Sequence, residues 1–323
     1  MKNTISIRRM TNAPALCAAL TVMLFGTVIC RAEDASAIGG NQKAFESPDA
    51  AFKALLDGVN QDSDDAILDV LGHQNKDLVV QSDKEASAEI RKKISNAAKE
   101  HLKIVTDGDK AVAYLGLKAW PYPIPIVKQA GKWIFDTAAG KEEILNRRIG
   151  RNELSAIKFV DAYGDAQRKY ASEDHTGDKV LKYAQKLIGS KGKRDGLYWP
   201  AETASANDSS PLAAMTDEDD AAFLGGTGAD VPHDGYYYKI LTKQGSNPPN
   251  GKYDYVINGN MIAGFAIVAW PADYDSSGIM TFIMSHQGLI YQKDLGAETS
   301  KGAAAMDEYN PDNTWNEVKI EDK

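Results

Sequence analysis

The chain has 323 residues, 43% of them hydrophobic and 25% charged, with a mean hydropathy of −0.39. That composition excludes collagen-like and wholly disordered proteins, and the length suffices for two domains with cores of their own. Acidic residues outnumber basic ones 45 to 37, for a net charge of −8, so no global positive field exists to hold nucleic acid or an anionic membrane.

Residues 1–32 read as a secretory signal peptide. Lys2, Arg8 and Arg9 form the positive n-region, and Ala13 to Ile29 form an apolar stretch interrupted by Pro14 and Gly26. Cys30-Arg31-Ala32 then offers small residues where a signal peptidase cuts. The apolar stretch is shorter than the ~20 residues that cross a bilayer, so no transmembrane span is expected after cleavage. Thr27-Val28-Ile29 before Cys30 is too bulky for a lipid-attachment site. The predicted location is periplasmic or secreted. Both cysteines, Cys17 and Cys30, fall inside the removed segment, so the mature chain has no disulfide, no thiol nucleophile and no thiolate metal site.

Residues 33–44, with Gly39-Gly40, read as a flexible tether. An N-terminal α+β domain is expected over 45–140. Ser47-Pro48-Asp49 is a helix start, followed by the stripe Phe52, Leu55, Leu56 and Val59. A second helix begins at Ser63-Asp64 and stops at Gly72, and a third spans about Lys84 to Lys103. Strands follow at Ala111–Leu117, Ile124–Gln129 and Lys132–Phe135. Between them, Trp120-Pro121-Tyr122-Pro123-Ile124-Pro125 has a proline at every second position and can form only an edge or polyproline-like segment. This meander after helices is compatible with a cystatin or NTF2-like fold.

The second domain, 141–323, opens with a helical middle. Glu142–Arg148 reads as a short helix, Asn152 to about Ser172 as a long one, and Val180 to Ile188 as a third. Residues 201–232, with the acidic run Asp217-Glu218-Asp219-Asp220, read as a mobile loop. The C-terminal part is predicted to be an antiparallel sheet packed on the long helix. Its strands are Tyr236–Thr242, Tyr253–Ile257, Met261–Trp270, Ile279–Ser285 and Leu289–Lys293, with a hairpin turn at Asn258-Gly259.

Several longer words carry a resemblance. Trp120-Pro-Tyr-Pro-Ile-Pro, Phe135-Asp-Thr-Ala-Ala-Gly-Lys-Glu-Glu-Ile, Lys193-Arg-Asp-Gly-Leu-Tyr-Trp-Pro, Gly235-Tyr-Tyr-Tyr and Ala269-Trp-Pro-Ala-Asp-Tyr resemble the bacterial domain-of-unknown-function family DUF2950. The resemblance covers nearly all of the mature chain and implies an exported protein, mostly of Gram-negative bacteria, with no functional residues to carry over. The order of long helix and strands from Gly235 to Tyr291 is also similar to the globular part of pilins and pseudopilins, although the polar Lys141–Asn152 stands where a pilin has its apolar assembly segment. That likeness concerns fold alone.

Chemistry-bearing candidates are sparse. The stretch Ser172 to Asp178 places oxygen ligands around a glycine turn, which makes Glu173, Asp174 and Asp178 candidate calcium ligands. No bidentate glutamate closes the loop, and the competing reading is an acidic turn whose Asp178 caps the next helix. Calcium is the only cofactor these residues offer; no P-loop, dinucleotide fingerprint, Gly-x-Ser-x-Gly or zinc signature is present. Glu153 and Asp195 are an acid–base pair only if the fold brings them together. Trp120, Tyr122, Tyr198, Trp199, Tyr236 and Trp270 lie beside prolines or at strand ends, where aromatic rims face a glycan or peptide; packing in the core explains them equally well. The expectation is a non-enzymatic binding or scaffolding module for a periplasmic protein or a cell-wall glycan. The alternative is a carboxylate-based envelope hydrolase acting on glycan or peptidoglycan.

Overall fold

A computed structural model describes residues 42–79, 84–200, 210–212 and 231–319. The predicted export segment, the tether up to residue 41 and most of the acidic loop lie outside the described residues. Contacts divide the chain between Asn146 and Arg147 into two compact units.

In the first unit, helix α1 (Pro48–Asn60) starts where the Ser47 hydroxyl accepts from the Ala50 N–H, with proline in its first turn. Helix α2 (Asp64–Leu71) repeats the device with Ser63 and Ala66, and ends at Gly72, whose φ of 91° suits glycine alone. A single turn, α3 (Lys76–Val79), precedes α4 (Lys84–Glu100), which Arg91 ties to Asp62 and Asp64. Strands β1 (Leu102–Asp107), β2 (Lys110–Leu115), β3 (Trp120–Pro121), β4 (Ile126–Gln129) and β5 (Lys132–Phe135) form an antiparallel sheet. Its order is β1-β2-β4-β5, with β3 laid on β2. Phe52, Leu55, Leu68 and Leu71 from the helices close on Leu115, Ile126 and Phe135 from the sheet.

The third helix stops at Glu100 instead of Lys103, because Lys-Ile-Val-Thr alternates in the manner of a strand and pairs with β2 over its whole length. Residues 42–44, assigned to the tether, are fixed: the Gln42 amide donates to Val70 O and Phe135 O, and the Lys43 N–H donates to Asp69 O.

The second unit is built on helix α5 (Thr137–Tyr170), which begins within the first unit's residues and runs through both predicted helices without a break at Gly150. Its buried stripe, Ala156, Val160, Tyr163, Ala166 and Gln167, faces a five-stranded antiparallel sheet. That sheet holds β6 (Tyr236–Leu241), β11 (Ala266–Pro271), β12 (Met280–Ser285), β13 (Ile290–Asp294) and β15 (Asn316–Glu317), in the order β15-β13-β12-β11-β6. Phe159 meets Tyr238 at 4.2 Å between ring centroids. Gly164 brings helix and sheet so close that a Cβ there would lie 2.8 Å from Met284 Cε. On the opposite face, Lys239 donates to Ala304 O and Met306 O around helix α6 (Thr299–Ala304), so β11 is buried along its entire length.

Smaller pieces complete this unit. Strands β7 (Lys243–Gln244), β8 (Tyr253–Asp254) and β14 (Glu308–Tyr309) form a small sheet in which β14 runs parallel to β7. The predicted hairpin forms between β9 (Val256–Ile257) and β10 (Asn260–Met261), with Asn258 at φ 49° and Gly259 at φ 80°. The longer strand predicted over Met261–Trp270 is interrupted at Gly264, whose φ of 153° and close approach to Tyr255 and His286 exclude a side chain.

The molecule is α+β, as the element pattern predicts. Val180–Ile188, read as a helix, is not one. Its backbone is claimed elsewhere, by bridges from Tyr183 to Met261 and from Ile188 to Tyr198, and by the Gln167 amide at Ala184. Leu212, inside the predicted mobile loop, is fully buried and donates its N–H to Leu197 O.

Candidate functional site

Among the described residues of the first unit, the most exposed large apolar side chains sit where β2 turns into β3. Gly116, at φ 70°, turns the chain out of β2 and donates its N–H to Ala97 O and His101 O at the end of α4. The Leu117 N–H then reaches the Glu100 carboxylate, the Ala119 N–H closes back onto Gly116 O, and Trp120–Pro121 returns along β2. This short reversal leaves Leu117 78% exposed and Trp120 45% exposed.

The turn is buttressed from below. Trp120 meets Tyr122 edge-on at 6.4 Å, and Tyr122 meets Phe52 edge-on at 5.4 Å inside the core. Burial pushes the Tyr122 phenol well above its ordinary pKa, so it stays neutral. Pro121, Pro123 and Pro125 restrict the segment further. The indole is therefore held on a stiff support, which lowers the entropy lost when a partner covers it.

The other aromatic candidates belong to the second unit and lie mostly in its core. Trp199 is 2% exposed, packed against Tyr170 and His175. Tyr236 is fully buried and donates to Met280 O; burial, with the nearby Glu153 carboxylate, raises its pKa. Trp270 is buried beside Tyr237, and Tyr198 is half-buried in a backbone bridge to Ile188. Apart from the half-buried Tyr198, these rings are buried among other side chains of the second unit, which is the packing alternative.

The acidic candidates already have donors. Asp174 accepts the N–H groups of Thr176, Gly177 and Lys179, and its carboxyl is lowered accordingly, with Lys179 the largest cause. Asp178 pairs with Lys182 and accepts the Val180 N–H, while Glu173 is exposed. This is a self-satisfied turn, and among the described residues no group of three or more His, Cys, Asp or Glu is placed to hold a metal ion.

Glu153 accepts the N–H groups of Ile279 and Met280. Asp195 accepts from Lys186 Nζ at 2.6 Å, and from the Ser190 N–H and hydroxyl. Partial burial pushes the Asp195 carboxyl up, but these donors outweigh it and hold it at about 2. Among the described residues the two carboxylates share no hydrogen-bond partner, and the Asp195 carboxyl is lowered, opposite to what a general acid needs.

Leu117 is the functional candidate that sequence reasoning passes over, since it completes a predicted strand. The preceding Gly116 is the signal that marks it as a turn residue. Among the described residues, no helix is long and apolar enough to cross a membrane.

A family model described as a protein of unknown function, DUF2950, matches residues 42–318. No curated protein and no solved structure matches the chain.

Proposed function

Given that the chain belongs to DUF2950, a family described only as of unknown function, we propose that it is a non-enzymatic binding module of the cell envelope, capturing a periplasmic protein or a cell-wall component through Leu117 and Trp120. The observation that carries this reading is the exposure of those two side chains on one braced turn. A buttressed tryptophan with an aliphatic neighbour is the kind of anchor that dominates binding energy when a partner desolvates it. Export is supported by the tripartite pattern of residues 1–32 and by the confinement of both cysteines to it. The hydrolase alternative draws no comparable support, because Glu153 and Asp195 are each committed to local donors.

The test is co-sedimentation of the purified protein with peptidoglycan sacculi, alongside affinity capture from periplasmic extract. Trp120→Ala is expected to weaken capture by at least about tenfold, on the scale of a lost ~2 kcal/mol anchor, in a protein that still unfolds cooperatively. Equal retention of partner by wild type and variant would overturn the assignment of this surface. Recovery of the unprocessed chain from the cytosolic fraction would overturn the envelope location.

A further inference from the structure

Strand β1 is an open edge. Among the described residues its only pairing partner is β2, and every residue from Leu102 to Asp107 is exposed except the half-buried Ile104. The turn joining the two strands is Gly108-Asp109, so Asp107 and Lys110 form the first hydrogen-bonded pair of the hairpin. Alternation then assigns the backbone groups of Val105 and Lys103 to β2 and points those of Ile104 and Thr106 outward. Among the described residues, no further hydrogen bond reaches the outward N–H and C=O groups of Ile104 and Thr106. The strand lacks proline and bulge, its two charges, Lys103 and Asp107, are of opposite sign, and Val105 is 42% exposed at its centre.

The geometry points to a second copy of this chain as the occupant, added antiparallel along β1 about a two-fold axis at Val105. Self-complementary charge selects that occupant and that register. With Val105 opposite its own equivalent, Lys103 falls opposite Asp107 of the second copy, and Asp107 opposite its Lys103, on the same face as the valines. Neither Lys103 nor Asp107 has an ion-pair partner among the described residues. Ile104 falls opposite Thr106, so the outward backbone groups form the hydrogen-bonded pairs of the new ladder. Val112, which faces Val105 within each copy, extends the valine pair into an apolar row across both sheets. Trp120 lies on the other side of β2 and stays accessible, so this pairing stands apart from the proposed capture surface.

Sedimentation equilibrium of the purified protein over a concentration series tests the pairing. The average mass of the wild type is expected to rise toward twice that of the chain. Lys103→Asp and Asp107→Lys each set like charges opposite one another twice, raising the dimer dissociation constant by about tenfold or more. The combined K103D/D107K protein restores both pairs and the wild-type mass. Thr106→Pro removes one outward N–H and leaves the β1–β2 ladder intact, so it yields a monomer whose thermal midpoint matches that of the wild type at concentrations where the wild type is itself monomeric. A wild type that stays monomeric throughout, a dimer indifferent to Thr106→Pro, or a double variant that fails to recover would each overturn the proposal. A monomer that takes up an extended peptide along β1 would equally overturn the second-copy assignment.

Discussion

Asp195 shows how much a single carboxylate organises. It gathers Lys186, the Ser190 hydroxyl and the Ser190 N–H around the turn between residues 186 and 195. Its folded pKa, about 2, lies below the ordinary 3.8, so its contribution to stability is complete above about pH 4 and disappears as pH falls through about 2. Asp195→Asn is therefore expected to remove on the order of 1 kcal/mol at neutral pH, after allowance for solvent screening. It should also flatten the decline in urea-unfolding free energy between about pH 4 and about 2; an identical pH profile in both proteins would refute the role. At this scale the sequence was a partial guide. Trp120 was legible because alternating prolines forced it to an edge, whereas Trp199 and Tyr236 stand beside similar residues yet are buried. Tyr236 is buried by the strands around it and Trp199 by Tyr170 and His175, long-range packing that no local pattern encodes.

Among the elements, the stretch Val180–Ile188 separates periodicity from structure. Its apolar spacing fits a helix, but the Gln167 side chain behaves as a piece of backbone beside it. The amide donates to Ala184 O at 2.8 Å and accepts the Ala184 N–H at 2.8 Å, and it donates to Tyr163 Oη, which passes a hydrogen bond on to Ala266 O. Gln167→Ala strands a buried N–H and a buried C=O, which should cost roughly 2–5 kcal/mol in urea unfolding. A loss below about 1 kcal/mol would mean that Ala184 finds other partners. The strand at Leu102–Asp107 was missed for a related reason, since helix α4 ends without a glycine or proline to announce it. The hairpin at Asn258-Gly259 was plain because its turn chemistry is local, and the same holds for the serine caps of α1 and α2.

Each unit of the whole molecule has a hydrophobic core of its own. Phe52 lies at the centre of the first, against Tyr122 and Phe135, and Tyr163 and Phe265 meet edge-on in the second. Phe52→Ala should cost about 3–5 kcal/mol and accelerate amide hydrogen exchange across α1 and β1–β5, leaving protection in β6, β11 and β12 unchanged. Uniform loss of protection would show that one cooperative unit spans both cores. Composition and length made two cores legible, and the run of helices before strands made the α+β class legible. The division between units was harder to read, because it falls inside a helix whose sequence carries no breaker there.

The close approach at Gly164 has a chemical consequence. Met284 is almost wholly enclosed, and its methyl group lies where the helix leaves no room even for a methyl on the glycine. An oxygen added to that sulfur would have to part helix from sheet, so sulfoxide at Met284 accumulates only as fast as the second unit opens. In an oxidising milieu this thioether acts as a built-in recorder of how often the fold has come apart.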